Sequence, residues 1–241
     1  MSQQHNAGTE AHFERYALYW TPEHGSPLAE FGRSWFGHDP ETGGPAAERD
    51  DHGLGLDCLE QITSVPRRYG FHATVLAPFR LRGGMAASEL RDRLQRFAAQ
   101  RGPVKVGRLQ LERIGDFLAL APQDDIFALK AFHTQCAFAF DHFRTPLPDA
   151  ERARRLAPGL SLRRRLMLAQ WGYPYMLTDF RFHLTLTGPL AEGEADAIRG
   201  KLAANLEDIC ASPLTLESIS LFGDPGGGRP FQMLARLPLE G

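Results

Sequence analysis

An octapeptide that occurs twice constrains this chain more than any other feature. Phe71-His72-Ala73-Thr74-Val75-Leu76-Ala77-Pro78 returns as Phe182-His183-Leu184-Thr185-Leu186-Thr187-Gly188-Pro189, an offset of 111 residues (183 − 72). Of the nine histidines, only these two have threonine at the second following position. Phe, His, Thr and Pro recurring together at matching places mark an internally duplicated architecture.

Both octets read as strands, short apolar runs with β-branched and aromatic residues closed by proline. Side chains alternate faces along a strand, so His72 points with Thr74 and His183 with Thr185. Phe71, Ala73 and Val75 take the opposite face of the first strand, and Phe182, Leu184 and Leu186 that of the second. Those apolar sets are the expected core side. Each copy thus offers an imidazole and a hydroxyl together.

The segments after the two octets repeat as well. After the first, Ser88 is expected to cap a helix to about residue 100, with Leu90, Leu94 and Phe97 on one face. Residues 104–113 and 116–121 then form a hairpin around Ile114-Gly115. After the second octet, a helix over about 192–209 carries Ala195, Ile198, Leu202, Leu206 and Ile209 inward. Residues 214–222 and 231–237 make its hairpin. The intervening Gly-rich turn, 223–230, lacks the Lys-Ser/Thr ending and the downstream helix of a P-loop.

Outside the repeats, residues 1–14 are polar and read as a loose tail without a signal-peptide segment. Residues 15–20 form a first strand, and Ser26-Pro27 opens a short helix through Trp35. Residues 37–57, rich in Gly, Pro and acids, read as a surface loop. His38, Asp39, Asp50, Asp51 and His52 lie in it at spacings that match no metal-ligand pattern, so no metal is expected. Helices are expected over 124–143, 149–156 and 161–171. His133 and His142 flank the apolar stripe of the first of these and read as surface or edge groups. Arg152, Arg154, Arg155, Arg163, Arg164 and Arg165 make the last two basic, either a solvated face or a patch for a phosphorylated substrate or RNA.

The bulk composition narrows the setting. A chain of 241 residues with net charge −2 can bury a substantial core and lacks a globally nucleic-acid-binding surface. Cys58, Cys136 and Cys210 are odd in number and scattered, which argues for a reducing compartment and against a disulfide or zinc framework. No apolar run is long enough for a membrane span. A cytoplasmic monomer is the expectation.

Two imidazoles facing one cleft across a pseudo-twofold axis are what acid–base cleavage of a phosphodiester needs. A neutral histidine takes a proton from the attacking oxygen, and a protonated one gives a proton to the leaving oxygen. The threonine hydroxyls can donate to the non-bridging phosphoryl oxygens. Neither metal nor cofactor is required, and the roles of the two histidines stay open.

With this pair of motifs the chain resembles the two-histidine (2H) phosphoesterase superfamily, whose signature is a pair of His-x-Ser/Thr motifs on two pseudo-symmetric lobes. Residues 66–74, Pro-Arg-Arg-Tyr-Gly-Phe-His-Ala-Thr, and 171–175, Trp-Gly-Tyr-Pro-Tyr, resemble one branch, described as phosphonate-metabolism proteins. The resemblance runs from Arg15 onward. It implies an α+β fold, a single bilobal domain over 15–241 of two lobes of antiparallel sheet with outer helices around a central cleft. It maps His72 and His183 onto the catalytic pair and Thr74 and Thr185 onto the phosphate-binding hydroxyls. By parity Arg181 shares a face with His183 and is a further phosphate anchor, while its counterpart is Gly70. Tyr69, Arg68, Tyr173 and Tyr19 are candidates for holding a sugar or base. The implied activity is metal-independent hydrolysis of a small sugar or nucleotide cyclic phosphate. Its alternatives are an RNA-end 2′,3′-cyclic phosphodiesterase or 2′-5′ RNA ligase-like enzyme, and a binding module without turnover.

Overall fold

The computed structural model describes residues 13–46, 49–156 and 158–241. Its centre is an antiparallel sheet in the order β4-β5-β6-β2-β1-β8-β9, with a separate two-stranded ribbon β3-β7. The strands are β1 (Arg15–Trp20), β2 (Ala73–Phe79), β3 (Val104–Gly107), β4 (Leu109–Ile114), β5 (Phe117–Pro122), β6 (Leu184–Thr185), β7 (Leu214–Leu216), β8 (Ser218–Asp224) and β9 (Gln232–Pro238). Helices are α1 (Pro27–Phe36), α2 (Leu56–Thr63), α3 (Ala87–Ala98), α4 (Phe127–Phe140), α5 (Asp149–Arg155), α6 (Leu162–Trp171) and α7 (Glu192–Ala211). The fold is α+β.

The duplication becomes a pseudo-twofold axis. Ala73 of β2 pairs with Leu184 of β6, its own counterpart at the 111-residue offset. In the ribbon, Val104 pairs with Leu216 and Lys105 with Thr215, so the same axis passes between those pairs. The two copies are also exchanged. The first copy's hairpin, β4-β5, pairs with the second motif strand, whereas the second copy's hairpin reaches the first motif strand through β1. Helix α3 packs on β8 and β9, and α7 on β4 and β5. Each half is therefore completed by the other.

The core face is the one that side-chain alternation selects. Phe71, Ala73, Val75, Phe182, Leu184 and Leu186 are all buried, whereas His72, Thr74, His183 and Thr185 are half-buried. Helix α1 lies against this region. Its Gly32 leaves room for the Phe71 ring, which a Cβ there would overlap, and its Trp35 Nε1 donates to the Leu186 carbonyl at 2.8 Å. Both motif strands are thus braced from behind by one helix.

Several local expectations shift. Ser26 caps α1 through its Oγ as expected, accepting from Ala29 N at 3.2 Å, and Gly37 ends the helix at φ +74°. Helix α3 starts earlier than a Ser88 cap would allow, with Ala86 at its N-cap. The strand expected over 104–113 breaks after Gly107, whose φ of +84° diverts the chain from the ribbon into the large sheet. The loop over 37–57 leads into α2 and a 3-10 turn at Pro66–Tyr69 that composition did not signal. Of the expected tail, residues 1–12 lie outside the described residues. Phe13 and Glu14 already belong to the fold, since Phe13 covers Gly223 and Glu14 N donates to the Asp224 carbonyl.

His133 is not at the surface. It is 2% exposed, donates from Nδ1 to the Val75 carbonyl at 2.8 Å and accepts at Nε2 from Leu177 N at 3.0 Å. Its ring stacks on Phe180 at 4.1 Å. With one nitrogen donating and the other accepting, the ring is neutral, and burial holds its pKa down to about 4. It fixes α4 to β2 and to the left-handed turn at Leu177, φ +56°.

Candidate active site

Carrying the Ala73–Leu184 register one residue further each way sets His72 opposite Thr185 and Thr74 opposite His183. All four side chains then leave one face of two adjacent strands. The two imidazoles stand diagonally, at a spacing of roughly 7–8 Å between diagonal positions of an antiparallel pair. A phosphorus centre with its oxygens fits between such rings.

Each ring is oriented in the same way. His72 Nδ1 donates to the Gly70 carbonyl at 2.9 Å, and His183 Nδ1 donates to the Arg181 carbonyl at 3.0 Å. Both bonds run to the residue two positions back, so the repeat copies the tautomer as well as the side chain. Nε2 is left as the working nitrogen in both. In the first copy the Thr74 hydroxyl donates to His72 Nε2 at 3.2 Å.

The electrostatics of the two rings differ. Burial drives the His72 pKa down to about 4, opposed by the Gly70 carbonyl and reinforced by His183. Burial also lowers His183, the Arg181 carbonyl works against this, and the Arg181 guanidinium lowers it further. The influence of His183 on His72 places the two within electrostatic reach of each other. His72 is neutral at pH 7, which suits a base.

A cavity of about 410 Å³ opens beside the motif strands. Thr74, His183, Arg181 and Tyr173 line it, as sequence reasoning proposes for one site. His72 and Thr185 are not among the lining residues; His72 is joined to the wall through Thr74, whose hydroxyl is bonded to its Nε2 at 3.2 Å. The remaining candidates sit elsewhere. Tyr19 is 1% exposed and stacks on His72 with ring centroids 3.8 Å apart, so it is a platform for that imidazole and no contact for a sugar. Arg68 donates to Asp224 at 2.9 Å and to the Arg229 carbonyl at 3.1 Å, which makes it part of the framework. Tyr69 packs on Phe231 at 5.0 Å, near the His72 side of the sheet. Among its described residues, the loop over 37–57 contributes nothing to the cavity wall; Lys201 Nζ and Asn205 Nδ2 tie it to α7 instead.

Sequence reasoning did not assign Arg164, Tyr175, Phe180 and the 114–117 turn to the site, yet all line the cavity. The words containing Tyr173 and Tyr175 stood out in the sequence. The signal missing was which arginine of a basic run turns inward, since neighbouring arginines differ only in their three-dimensional partners.

Gly70 holds the first histidine. Its φ of +72° favours glycine, and a Cβ there would meet Pro40 Cβ at 3.0 Å. Gly70→Ala is expected to displace the carbonyl that orients His72. We expect kcat to fall about tenfold or more with KM little changed, and stability to drop by about 1–2 kcal/mol. Steady-state kinetics beside thermal unfolding separates the two effects.

Among known protein families, the model described as "Protein of unknown function (DUF1045)" matches residues 74–232, well over half of the chain. The ribose 1,5-bisphosphate phosphokinase PhnN of Janthinobacterium sp. (strain Marseille) is 34% identical over 231 residues, covering 94% of this chain and 51% of the relative. That of Laribacter hongkongensis (strain HLHK9) is 28% identical over 219 residues, covering 91% and 50%. The chain spans about half the length of the curated relatives it matches. Among solved structures, TT0787 of Thermus thermophilus aligns with a TM-score of 0.47 at 13% identity, over 94% of this chain and 98% of that one. A structure described as a phosphoesterase aligns with a TM-score of 0.41 at 11% identity, over 95% and 100%.

Proposed function

Starting from a chain that belongs to the DUF1045 family, we propose that it is a cyclic phosphodiesterase that opens a small ribose cyclic phosphate by two-histidine acid–base catalysis, in phosphonate metabolism. The observation that carries this reading is the copied geometry of His72 and His183, each held at Nδ1 by the carbonyl two residues back. A binder of phosphate has no need for two imidazoles oriented alike. The names of the curated relatives specify a ribose 1,5-bisphosphate, which favours a ribose phosphate over an RNA end as the natural ligand.

The chemistry derives from the two nitrogens. The phosphoryl group enters beside Thr74, whose hydroxyl turns from His72 Nε2 to a non-bridging oxygen, and the Thr185 hydroxyl donates to the other from the second motif strand. His72 Nε2, now uncovered, takes a proton from water as its oxygen bonds to phosphorus. His183 Nε2, protonated by the approach of the anionic substrate, gives its proton to the departing sugar oxygen as the P–O bond breaks. One water is consumed, one phosphomonoester and one hydroxyl are formed, and the two histidines exchange protons with solvent to reset. Arg181, beside His183, stabilises the charge that builds on phosphorus-bound oxygen.

The pH dependence carries a signature. Since burial depresses both rings, the free enzyme needs His72 deprotonated and His183 protonated within a window below the ordinary histidine pKa. The profile of kcat/KM is expected to be bell-shaped with its optimum on the acid side of about pH 6.5, the two limbs belonging to the coupled pair. The optimum of kcat should lie higher, because bound phosphate raises the imidazole pKa values. A flat kcat/KM from about pH 5 to 9 overturns the two-histidine mechanism.

A further inference from the structure

Three-dimensional pairing separates the arginines of the basic segment. Arg152, Arg155, Arg163 and Arg165 each donate to a nearby carboxylate or carbonyl. Arg154 and Arg164 do not: among the described residues no hydrogen bond holds either guanidinium, but Arg154 is exposed on α5 and does not line the cavity, whereas Arg164 does. Its Nε stands 3.7 Å from Asp179 Oδ2, an oxygen to which Arg163 Nε already donates at 3.1 Å. The guanidinium instead lies over the Tyr175 ring, 5.0 Å from its centre, and lines the same cavity as His183.

The other cation of that cavity, Arg181, likewise has no side-chain hydrogen bond among the described residues, and it acts electrostatically on His183. Arg164 is supplied by α6, a separate element from the motif strands. The lining therefore holds two guanidiniums against a single carboxylate, Asp116. The five donors of each arginine stay available to a ligand. One arginine sits beside the reacting phosphate, which leaves the second for another anion.

We propose that Arg164, backed by the Tyr175 ring, is a second anion subsite that takes a terminal phosphomonoester, so that the substrate is a ribose cyclic phosphate bearing a further phosphate. This rests on the phosphodiesterase reading of the site. A planar guanidinium fits a phosphomonoester through paired N–H donors, and the aromatic ring beneath holds that plane in place. Opening the cyclic ester of such a substrate leaves a ribose bisphosphate. The cavity of about 410 Å³ lies within the range of small-ligand sites, with space for a sugar between the two anions.

Ribose 5-phosphate probes the subsite without any reaction. In isothermal titration of the full chain, Arg164→Gln is expected to weaken its binding about 10–100-fold, Arg164→Lys to recover part of the loss, and Arg154→Gln, an exposed arginine outside the cavity wall, to stay within a few fold of wild type. Wild-type protein that does not bind ribose 5-phosphate, or an Arg164→Gln variant that binds it equally well, overturns the inference. Turnover of ribose 1,2-cyclic phosphate with and without a 5-phosphate tests the two readings separately. A preference for the phosphorylated substrate that collapses in Arg164→Gln supports both. Equal losses on both substrates sink the subsite and leave the phosphodiesterase. Binding that depends on Arg164 with neither ester hydrolysed sinks the phosphodiesterase and leaves the subsite.

Discussion

His183→Ala is expected to lower kcat/KM on a ribose cyclic phosphate by about 10²–10⁴-fold, and His72→Ala by a similar factor, the range for loss of one general acid or base. The losses should not multiply in the double variant, because acid and base act in one transition state. The environments of the two rings separate their roles. In the proposed mechanism His72, held neutral by burial with a pKa of about 4, takes the part of the base. His183, which lines the cavity beside Arg181, takes that of the acid. A diester with a p-nitrophenyl leaving group needs no proton on departure, so His183→Ala should retain far more activity on it than on the natural alkoxide ester. His72→Ala should remain impaired on both. Equal rescue of the two variants contradicts this assignment.

Asp224→Ala is expected to be the most destabilising polar substitution outside the site. The carboxylate is fully buried and accepts from Arg15 Nε at 2.9 Å and Nη2 at 2.5 Å, from Arg68 Nη2 at 2.9 Å, and from Gly226 N at 3.0 Å. Burial raises its pKa, but the Gly226 N–H and the two guanidiniums overcome that and leave it below the usual carboxylate range. Removing it strands two partly buried cations beside Phe231. Loss of one partner from a buried ionic cluster costs about 3 kcal/mol, with Arg15 and Arg68 still in part solvated. For a domain of this size that is a fall in Tm of about 6–12 °C. Because Asp224 ends β8 and pairs with Arg15 at the start of β1, the damage should spread to the Tyr19 platform under His72 and reduce kcat as well. Calorimetry with parallel kinetics checks both. An unchanged Tm would show that the cluster contributes nothing to stability.

Much of this organisation was legible in the residues, for reasons that differ from element to element. The two His-x-Thr strands declared themselves because a period of two is unambiguous when one face is Phe-Ala-Val or Phe-Leu-Leu and the other His-Thr. Ser26-Pro27 marked its helix start through capping chemistry that acts within a single turn. By contrast, β6 is only two residues long although its octet has strand propensity, because beyond Thr185 the chain leaves the ladder: Leu186 N and Thr187 N both turn to the Leu118 carbonyl and Gly188 N to that of Ile62. The exchange of hairpins between the two copies was not legible either, because antiparallel partners far apart in the chain leave no local pattern. Tyr19 and Arg68 show the same limit at single residues. A tyrosine and an arginine near the motif look like substrate contacts until packing assigns one to the underside of His72 and the other to Asp224. Arg164 is the reverse, an ordinary member of a basic run that only its place in the cavity wall, over the Tyr175 ring, distinguishes.

Phosphorus NMR of the purified chain in EDTA, with ribose 1,2-cyclic phosphate, its 5-phosphorylated form, a nucleoside 2′,3′-cyclic phosphate and a short RNA with a cyclic end, tests the central claim most directly. The five-membered cyclic phosphate resonance is expected to disappear in favour of a phosphomonoester for a ribose cyclic phosphate, with wild-type protein and without added metal. It should persist on the same time scale with His72→Ala and with His183→Ala. Conversion that survives both substitutions, or that requires a metal ion, contradicts two-histidine catalysis. A resonance that broadens without conversion, to the same extent in all three proteins, shows a site that binds the ester and does not open it.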